Sequence, residues 1–372
     1  MYKKVLITGG AGFIGSHLTD QLLLHGYSVR ILDNLSEQIH GPGQRPPKYL
    51  DPEAELIIGD VRTPADVQRA LKNVDMVVHL AASVGVGQSM YMVRDYMDVN
   101  TMGTAVLLQH LIEKPVEKLV VASSMSIYGE GYYKTSEGEI IEGFPRSLEQ
   151  LKAGEWELSD TNNNRLEPVP TDESKHPALA SVYALSKYDQ EQLCLMLGRA
   201  YNIPTVALRF FNVYGTRQSL SNPYTGVLAI FASRLLNYNA PLIFEDGNQM
   251  RDFVSVYDVA KACRLALETP GAADNVFNVG SGNSYSVQEI ARQLGYVLGK
   301  SSIEPEITRK YRLGDIRHCF ADISKARSVL GYEPEINLQE GLYEYTEWLS
   351  TQIAMDMVDK AHSELATRGL TI

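Results

Sequence analysis

The segment that most constrains this chain is Thr8-Gly9-Gly10-Ala11-Gly12-Phe13-Ile14-Gly15. It lies between Lys4–Thr8, an apolar run that reads as a strand, and residues 13–25, which read as a helix. Gly10, Gly12 and Gly15 match G-x-G-x-x-G, and Gly9, Gly12 and Gly15 match G-x-x-G-x-x-G. Without Cβ atoms the chain turns tightly and a pyrophosphate can reach the backbone. The helix N-terminus adds free N–H groups and the positive end of its dipole. A glycine pattern alone is weak, but here strand, loop and helix stand in order. Asp33 ends the next strand, 18 residues after Gly15. A carboxylate there accepts from the adenosine ribose hydroxyls and repels a 2′-phosphate, which predicts NAD and not NADP. Asp60, in Gly59-Asp60-Val61 at the end of a third strand, suits a hydrogen bond to the adenine amino group; a helix N-cap or loop acid fits equally.

The strand-and-helix rhythm continues. Ser28–Asp33 and residues 55–59, 74–79 and 118–122 read as strands, the last three short and rich in Val, Ile and Leu, as strands buried on both faces are. A helix is expected after Thr63-Pro64, with Thr63 as N-cap, and another over about 93–113. This alternation predicts parallel strands with right-handed crossovers, an α/β doubly wound Rossmann sheet. The rhythm breaks over 130–178, too long a stretch for a plain loop, and this is read as an inserted excursion with structure of its own. It resumes with a helix over about 183–201 and a strand at Thr205–Phe210. Beyond lie helices near 227–237, 257–267 and 287–298 and short strands at 242–244 and 276–279, read as a smaller mixed α/β lobe. The expected division is 1–212 for the dinucleotide-binding domain with its excursion, 213–349 for the second lobe, and 350–372 for a helical tail. In that tail Ile353, Met357 and Leu365 have helical spacing.

At about 150 residues per domain, 372 residues suit two domains, and 44% hydrophobic residues suffice for a large core. The net charge of −11 argues against nucleic acid or an anionic membrane as partner. No apolar run approaches the roughly 20 residues of a membrane span. Met1-Tyr2-Lys3-Lys4 leads into the first strand without a secretory pattern. Cys194, Cys263 and Cys319 are far apart and in no C-x-x-C pattern. They read as buried thiols of a cytoplasmic protein, with no disulfide frame and no metal site.

Tyr183-Ala184-Leu185-Ser186-Lys187 places a phenol and an ammonium one helical turn apart on one face. The phenol ordinarily titrates near ~10. The lysine and a cationic nicotinamide would both favour phenolate, making Tyr183 a base for a hydroxyl proton. Ser123-Ser124 follows the strand expected at 118–122, at the carboxyl end where ligands bind in open α/β sheets, so a hydroxyl there can steady charge on a reacting oxygen.

Together these segments resemble the extended short-chain dehydrogenases/reductases, and within them the NAD-dependent nucleotide-sugar epimerase/dehydratase family. The resemblance runs in order through Thr8–Gly15, His79-Leu80-Ala81-Ala82, Asn100, Ser123-Ser124 with Tyr128-Gly129, Tyr183 with Lys187, Arg209-Phe210-Phe211-Asn212-Val213-Tyr214-Gly215 and Arg251-Asp252-Phe253-Val254, and covers the chain to about Leu349. It implies that Tyr183 is the catalytic base, Lys187 its partner on the nicotinamide ribose, and Ser124 the accompanying hydroxyl. It implies that Asn100 shapes the active-site helix. It implies cofactor contacts at Gly9, Gly12, Phe13, Ile14 and Gly15; at Asp33, Asn34, Asp60 and Val61; at Leu80, Ala81 and Ala82; and at Asn100, Ser123, Phe210 and Val213. For the substrate it implies Ser124, Ser126 and Tyr183 near the sugar, Asn212 and Arg251 on the diphosphate, and Arg312 with Asp315 as a further nucleotide-binding pair. Arginine offers fork geometry for phosphate oxygens, although an ion pair of Arg251 with Asp252 or another acid is the alternative.

The family's dehydratases carry an Asp-Glu pair directly after the Ser/Thr. Here those positions hold Met125 and Ser126, which cannot serve as acid or base. The resemblance therefore implies a 4-epimerase acting through a 4-keto sugar with NAD regenerated each cycle. A dehydratase, a decarboxylase, a net oxidoreductase or a non-catalytic NAD-binding module are the alternatives. The excursion, with Gly154-Glu155-Trp156-Glu157 and Leu166-Glu167-Pro168-Val169-Pro170-Thr171, resembles that of dTDP-L-rhamnose 4-epimerase-like enzymes; UDP-hexose and UDP-uronic acid 4-epimerases are nearly as close. The implied partner is a dTDP- or UDP-sugar. Family analogy adds a homodimer through the helices near 93–113 and 183–201.

Overall fold

The computed structural model describes residues 3–312 and 314–371. Met1 and Tyr2 of the expected lead into the first strand, Leu313 of the 311–315 motif, and Ile372 lie outside them. The apolar runs become strands of one sheet. These are β1 (Lys4–Thr8), β2 (Ser28–Asp33), β3 (Glu55–Ile58), β4 (Met76–His79), β5 (Lys118–Ser124), β6 (Thr205–Phe210) and β7 (Asn275–Val279). Their order is β7-β6-β5-β4-β1-β2-β3, and every pairing is parallel. Alternation sends Val5 and Ile7 into one apolar layer and Leu6 into the other, all three fully buried. Each such side chain contributes about 1.5–3 kcal/mol relative to exposure. The order reverses between β1 and β4, which opens a crevice at the carboxyl ends of these strands.

Helices cover both faces. After β1 comes α1 (Phe13–Leu24), and after β3 comes α2 (Pro64–Ala70), with Thr63 at its N-cap but making no side-chain cap bond. The helix expected over 93–113 is interrupted. A turn at Val93–Tyr96 runs into a π-helical turn, Met97–Met102, before α3 (Gly103–Glu113). A π-turn inserts an extra residue and re-aims its side chains, often at functional sites. Here buried Asn100 sits in that turn. The helix after the excursion is α4 (Val182–Tyr201), capped by Ser181, whose Oγ accepts from Ala184 N at 3.1 Å.

The main correction concerns the second lobe. The strand expected at 276–279 and the helix expected at 257–267 were assigned to it. Instead β7 pairs in parallel with β6, and α5 (Val256–Glu268) packs on α1. Phe277 and Val279 are fully buried in the main core, so the chain returns to cover an edge that β6 would otherwise leave open. The smaller lobe keeps Leu242–Ile243, paired with Glu306–Ile307, and a separate core with Phe231, Leu294, Leu342 and Tyr345.

The excursion does carry structure. Tyr132–Lys134 pairs antiparallel with both Ile140–Glu142 and Glu167–Val169, around buried Tyr133, Leu158 and Leu166. A buried charge cluster ties it to the second lobe. Arg317, with no exposed side chain, bonds Glu157, Glu245 (2.9 Å) and Asp246 (2.6 Å), and Arg146 bonds Glu245 at 2.8 Å. Glu130 accepts from the backbone N–H of Arg317 and of His318. Replacing Arg317 with alanine strands these carboxylates, and breaking a buried pair in this way costs about 3–5 kcal/mol. Urea denaturation of Arg317→Ala is expected to read a loss of that size; a loss under 1 kcal/mol contradicts the anchoring role.

The tail forms α6 (Val358–Thr367), packed through Val358, Ala361 and Leu365. Ile353 is 95% exposed and outside it, so the expected Ile353/Met357/Leu365 stripe holds only for Leu365. Glu364 Oε2 accepts from Tyr91 and Tyr224, at 2.8 and 2.7 Å. All three cysteines are buried free thiols. Among the described residues no helix is long and apolar enough to cross a membrane.

Candidate active site

The glycine loop lies at the switch point. Gly9 has φ +71°, and a Cβ there would stand 2.9 Å from Ala81 Cα and N. A Cβ on Gly15 would run into Gly9 O and approach Gly10 Cα to 2.6 Å. Gly12 caps α1 without a side-chain bond, so the helix start, with Phe13 and Ile14, presents backbone alone. Asp33 accepts from Ala11 N (3.0 Å) and Leu35 N (2.9 Å), which fixes its carboxylate against the loop. Asn34 Nδ2 donates to Asp60 at 3.0 Å. Arg62 holds that same carboxylate, pulling Asp60 down to about 2. Val61 is buried beside Gly103, where a Cβ would meet its methyl at 2.7 Å. Leu80, Ala81 and Ala82 follow β4 directly. A backbone cradle, a fixed acid and small residues beyond β4 fit a dinucleotide pyrophosphate and adenosine.

The reactive groups converge at the neighbouring strand ends. Tyr183 is half-buried in the first turn of α4, its ring edge-to-face with Tyr96 at 6.4 Å. Burial raises its phenol above the usual value, while the neighbouring Ser124 hydroxyl acts in the opposite direction. Ser124 Oγ also accepts from Ser126 Oγ at 2.9 Å. Thus Tyr183, Ser124 and Ser126 come together. Lys187 is buried, and burial lowers its ammonium to about 8. Its Nζ donates to Gln190 Oε1 at 2.7 Å, and among the described residues no hydrogen bond joins it to Tyr183. The expected lowering of the phenol by the lysine is therefore absent in the chain alone: desolvation dominates, and the ammonium is turned to an amide.

Other expected residues divide. Asn100 bonds Ser83 O (3.0 Å), Ser83 N (2.7 Å) and Ser186 Oγ (2.9 Å), pinning the π-turn to α4. Ser123 points away from Ser124: its Oγ donates to Glu191 at 2.6 Å, and Glu191 also takes a two-pronged bond from Arg209. Phe210 is buried at the end of β6, and Val213 pairs with Val254. Asn212 Nδ2 donates to Asp252 O at 3.0 Å. Arg251 makes no pair with Asp252. Its guanidinium donates to the carbonyls of Met250, Ile316 and Arg317, while Asp252 accepts from Ser281 and Gly282. Arg312 grips Asp315 at 2.8 Å and lies over the Phe244 ring at 4.7 Å. A Cβ on Gly314 would meet Ala180 O at 2.9 Å, so Gly314 packs against the residues that lead into α4. Residues missed in the sequence are Gln190, Thr104 and Glu191. The only local signal was that Gln190 stands three positions past Lys187 on the same helix.

These features can be set beside known proteins. A family model described as "NAD dependent epimerase/dehydratase family" matches residues 5–148 and 159–280, and the chain belongs to that family. This bears out the resemblance and the NAD reading taken from Asp33. Residues 149–158, between the matched stretches, lie inside the excursion. A Burkholderia thailandensis protein named dTDP-L-rhamnose 4-epimerase is 35% identical over 361 residues, covering 94% of this chain and 96% of the relative. The Thermotoga maritima UDP-glucose 4-epimerase structure with UDP-glucose superposes with a TM-score of 0.75 at 31% identity, covering 93% of this chain and 98% of that one. The Bacillus cereus UDP-glucuronic acid 4-epimerase, in complex with UDP-glucuronic acid and NAD, gives a TM-score of 0.76 at 28% identity, covering 93% and 99%.

Proposed function

We propose that this chain is an NAD-dependent 4-epimerase of a nucleotide-activated sugar, a dTDP- or UDP-hexose. The observation that carries the reading is the Tyr183–Ser124 pair at the mouth of a dinucleotide crevice, with Met125 and Ser126 where a dehydratase needs an acid and a base. When bound, NAD supplies a hydride acceptor and then a hydride donor. The chain's own residues handle the proton and the orientation. Tyr183 Oη takes the proton of the sugar 4-hydroxyl and returns it after the 4-keto sugar has turned in the pocket. Ser124 Oγ hydrogen-bonds the reacting oxygen and steadies charge on it. The crevice residues Gly9, Gly12, Gly15, Asp33 and Asp60 hold the dinucleotide. Asn212 and Arg251 meet the nucleotide diphosphate, with Arg251 exchanging carbonyl acceptors for phosphate oxygens, and Arg312 with Asp315 is a further nucleotide-binding pair.

The dinucleotide-binding domain in this reading is 1–212 together with the returning α5 and β7; the rest of 213–349 is the nucleotide-sugar lobe, and 350–372 the tail. We place the enzyme in the cytoplasm, in keeping with its buried free thiols. We propose a homodimer through the segment of the π-turn and α3 together with α4, where Met102 at the end of the turn and Met196 on α4 are 55% and 56% exposed. Light scattering at micromolar concentration reads its mass, and a monomer there refutes the pairing.

Incubation with a panel of UDP-, dTDP-, GDP- and CDP-sugars, resolved by NMR, tests the chemistry. One epimer pair should equilibrate without NADH accumulating. NADH or CO₂ formed in step with product overturns the epimerase reading in favour of a net oxidoreductase or decarboxylase.

A further inference from the structure

The lysine's amide acceptor belongs to a buried hydrogen-bond network in which Gln190 Nε2 also stands 3.2 Å from His79 Nε2. Gln190 Oε1 accepts from Lys187 Nζ. Its Nε2 donates to Thr104 Oγ1 at 2.9 Å and to Ala81 O at 3.4 Å, which settles which way the amide points. The Thr104 hydroxyl donates to Asn100 O at 2.5 Å, so its oxygen is left to accept from His79 Nε2 at 2.9 Å. His79 Nδ1 then accepts from Thr8 Oγ1 at 2.7 Å, and Thr8 Oγ1 accepts from Ala81 N at 3.3 Å. Thr8, His79, Thr104 and Gln190 are all fully buried. The chain thus runs from the last residue of β1, just before the glycine loop, to the ammonium on α4.

We propose that Gln190 is a positioning residue for Lys187, holding its ammonium in the crevice by a neutral acceptor so that, once the dinucleotide is bound, no carboxylate cancels the positive charge it presents to Tyr183 and the nicotinamide. This rests on the epimerase reading for its role in turnover. The alternative acceptor is close by and already used: Glu191 is bound to Arg209 from β6 and Ser123 from β5. The other titratable groups facing Lys187 are His79 from β4, held neutral by burial, and Cys194 on α4 itself. The π-turn and α3 contribute only the neutral Asn100 and Thr104 to this network, and Asp189 is turned to Thr101. An ammonium facing a neutral amide keeps its field; one facing a carboxylate loses most of it at short range.

The test uses full-length protein with NAD bound. The Tyr183 phenol is titrated by phenolate absorbance, as the difference from the same chain carrying Tyr183→Phe, in the parent, Gln190→Glu and Gln190→Met. Gln190→Glu keeps the shape and pairs the ammonium; the phenol titration is expected to move up by about one unit or more, with turnover at neutral pH falling about tenfold. Gln190→Met removes the acceptor and is expected to move it in the same direction. An unchanged phenol titration in Gln190→Glu, with circular dichroism showing that the variant is folded, overturns the proposal. The absorbance readout needs no sugar. If no nucleotide sugar is turned over yet the phenol shifts, the positioning role stands and the epimerase reading fails.

Discussion

Turnover falls by roughly 10²- to 10⁴-fold in Tyr183→Phe, the range that a single general acid–base group contributes. The variant removes one oxygen from a ring that is edge-to-face with Tyr96 and set in the capped first turn of α4, so the fold and the dinucleotide crevice are unaffected. Ser124 keeps its bonds from Ser126 and can still bind the sugar oxygen, but nothing takes the proton. The expected result is therefore a large loss in kcat with NAD affinity and thermal midpoint near those of the parent. Steady-state kinetics with the sugar found by the panel reads it. Turnover within threefold of the parent removes Tyr183 from the chemistry.

The second large effect is at Gly15. A Cβ there meets backbone on two sides, Gly9 O and Gly10 Cα at 2.6 Å, and neither can step aside as a flexible side chain would. Gly15→Ala must open the loop that Ala11 N and Asp33 hold at 3.0 Å. Forced overpacking of this kind costs about 1–3 kcal/mol. Directed at the cradle, that is a loss of about five- to 140-fold in NAD affinity, since 1.4 kcal/mol is tenfold. Calorimetric titration with NAD measures it. Affinity equal to the parent's means that the pyrophosphate does not lie on this loop.

Much of the frame was legible because it is written in local periodicity. Short Val/Ile/Leu runs marked β1 to β6, and their ends moved by only one or two residues. Tyr183 and Lys187 share a helix face at any tertiary arrangement, and the glycines of 9–15 carry their turn with them. What failed depended on contacts between distant segments. Residues 276–279 look like any short strand, and nothing in their neighbours says that they cross back to β6. Ser123 and Ser124 are adjacent and chemically equal, yet strand alternation sends one hydroxyl to Glu191 and leaves the other beside Tyr183. Arg251 was weighed against Asp252, its neighbour in sequence, but its guanidinium reaches three carbonyls, two of them more than sixty residues away.

The amino-acid order alone determined the class of fold, the dinucleotide and the residue proposed as base, because each rests on spacing within one strand, loop or helix. Only the tertiary structure decided what surrounds that base. Whether a buried ammonium faces an amide, a phenol or a carboxylate is set by how β1, β4, α3 and α4 pack together. In the desolvated crevice that choice of neighbour governs the charge each group can hold.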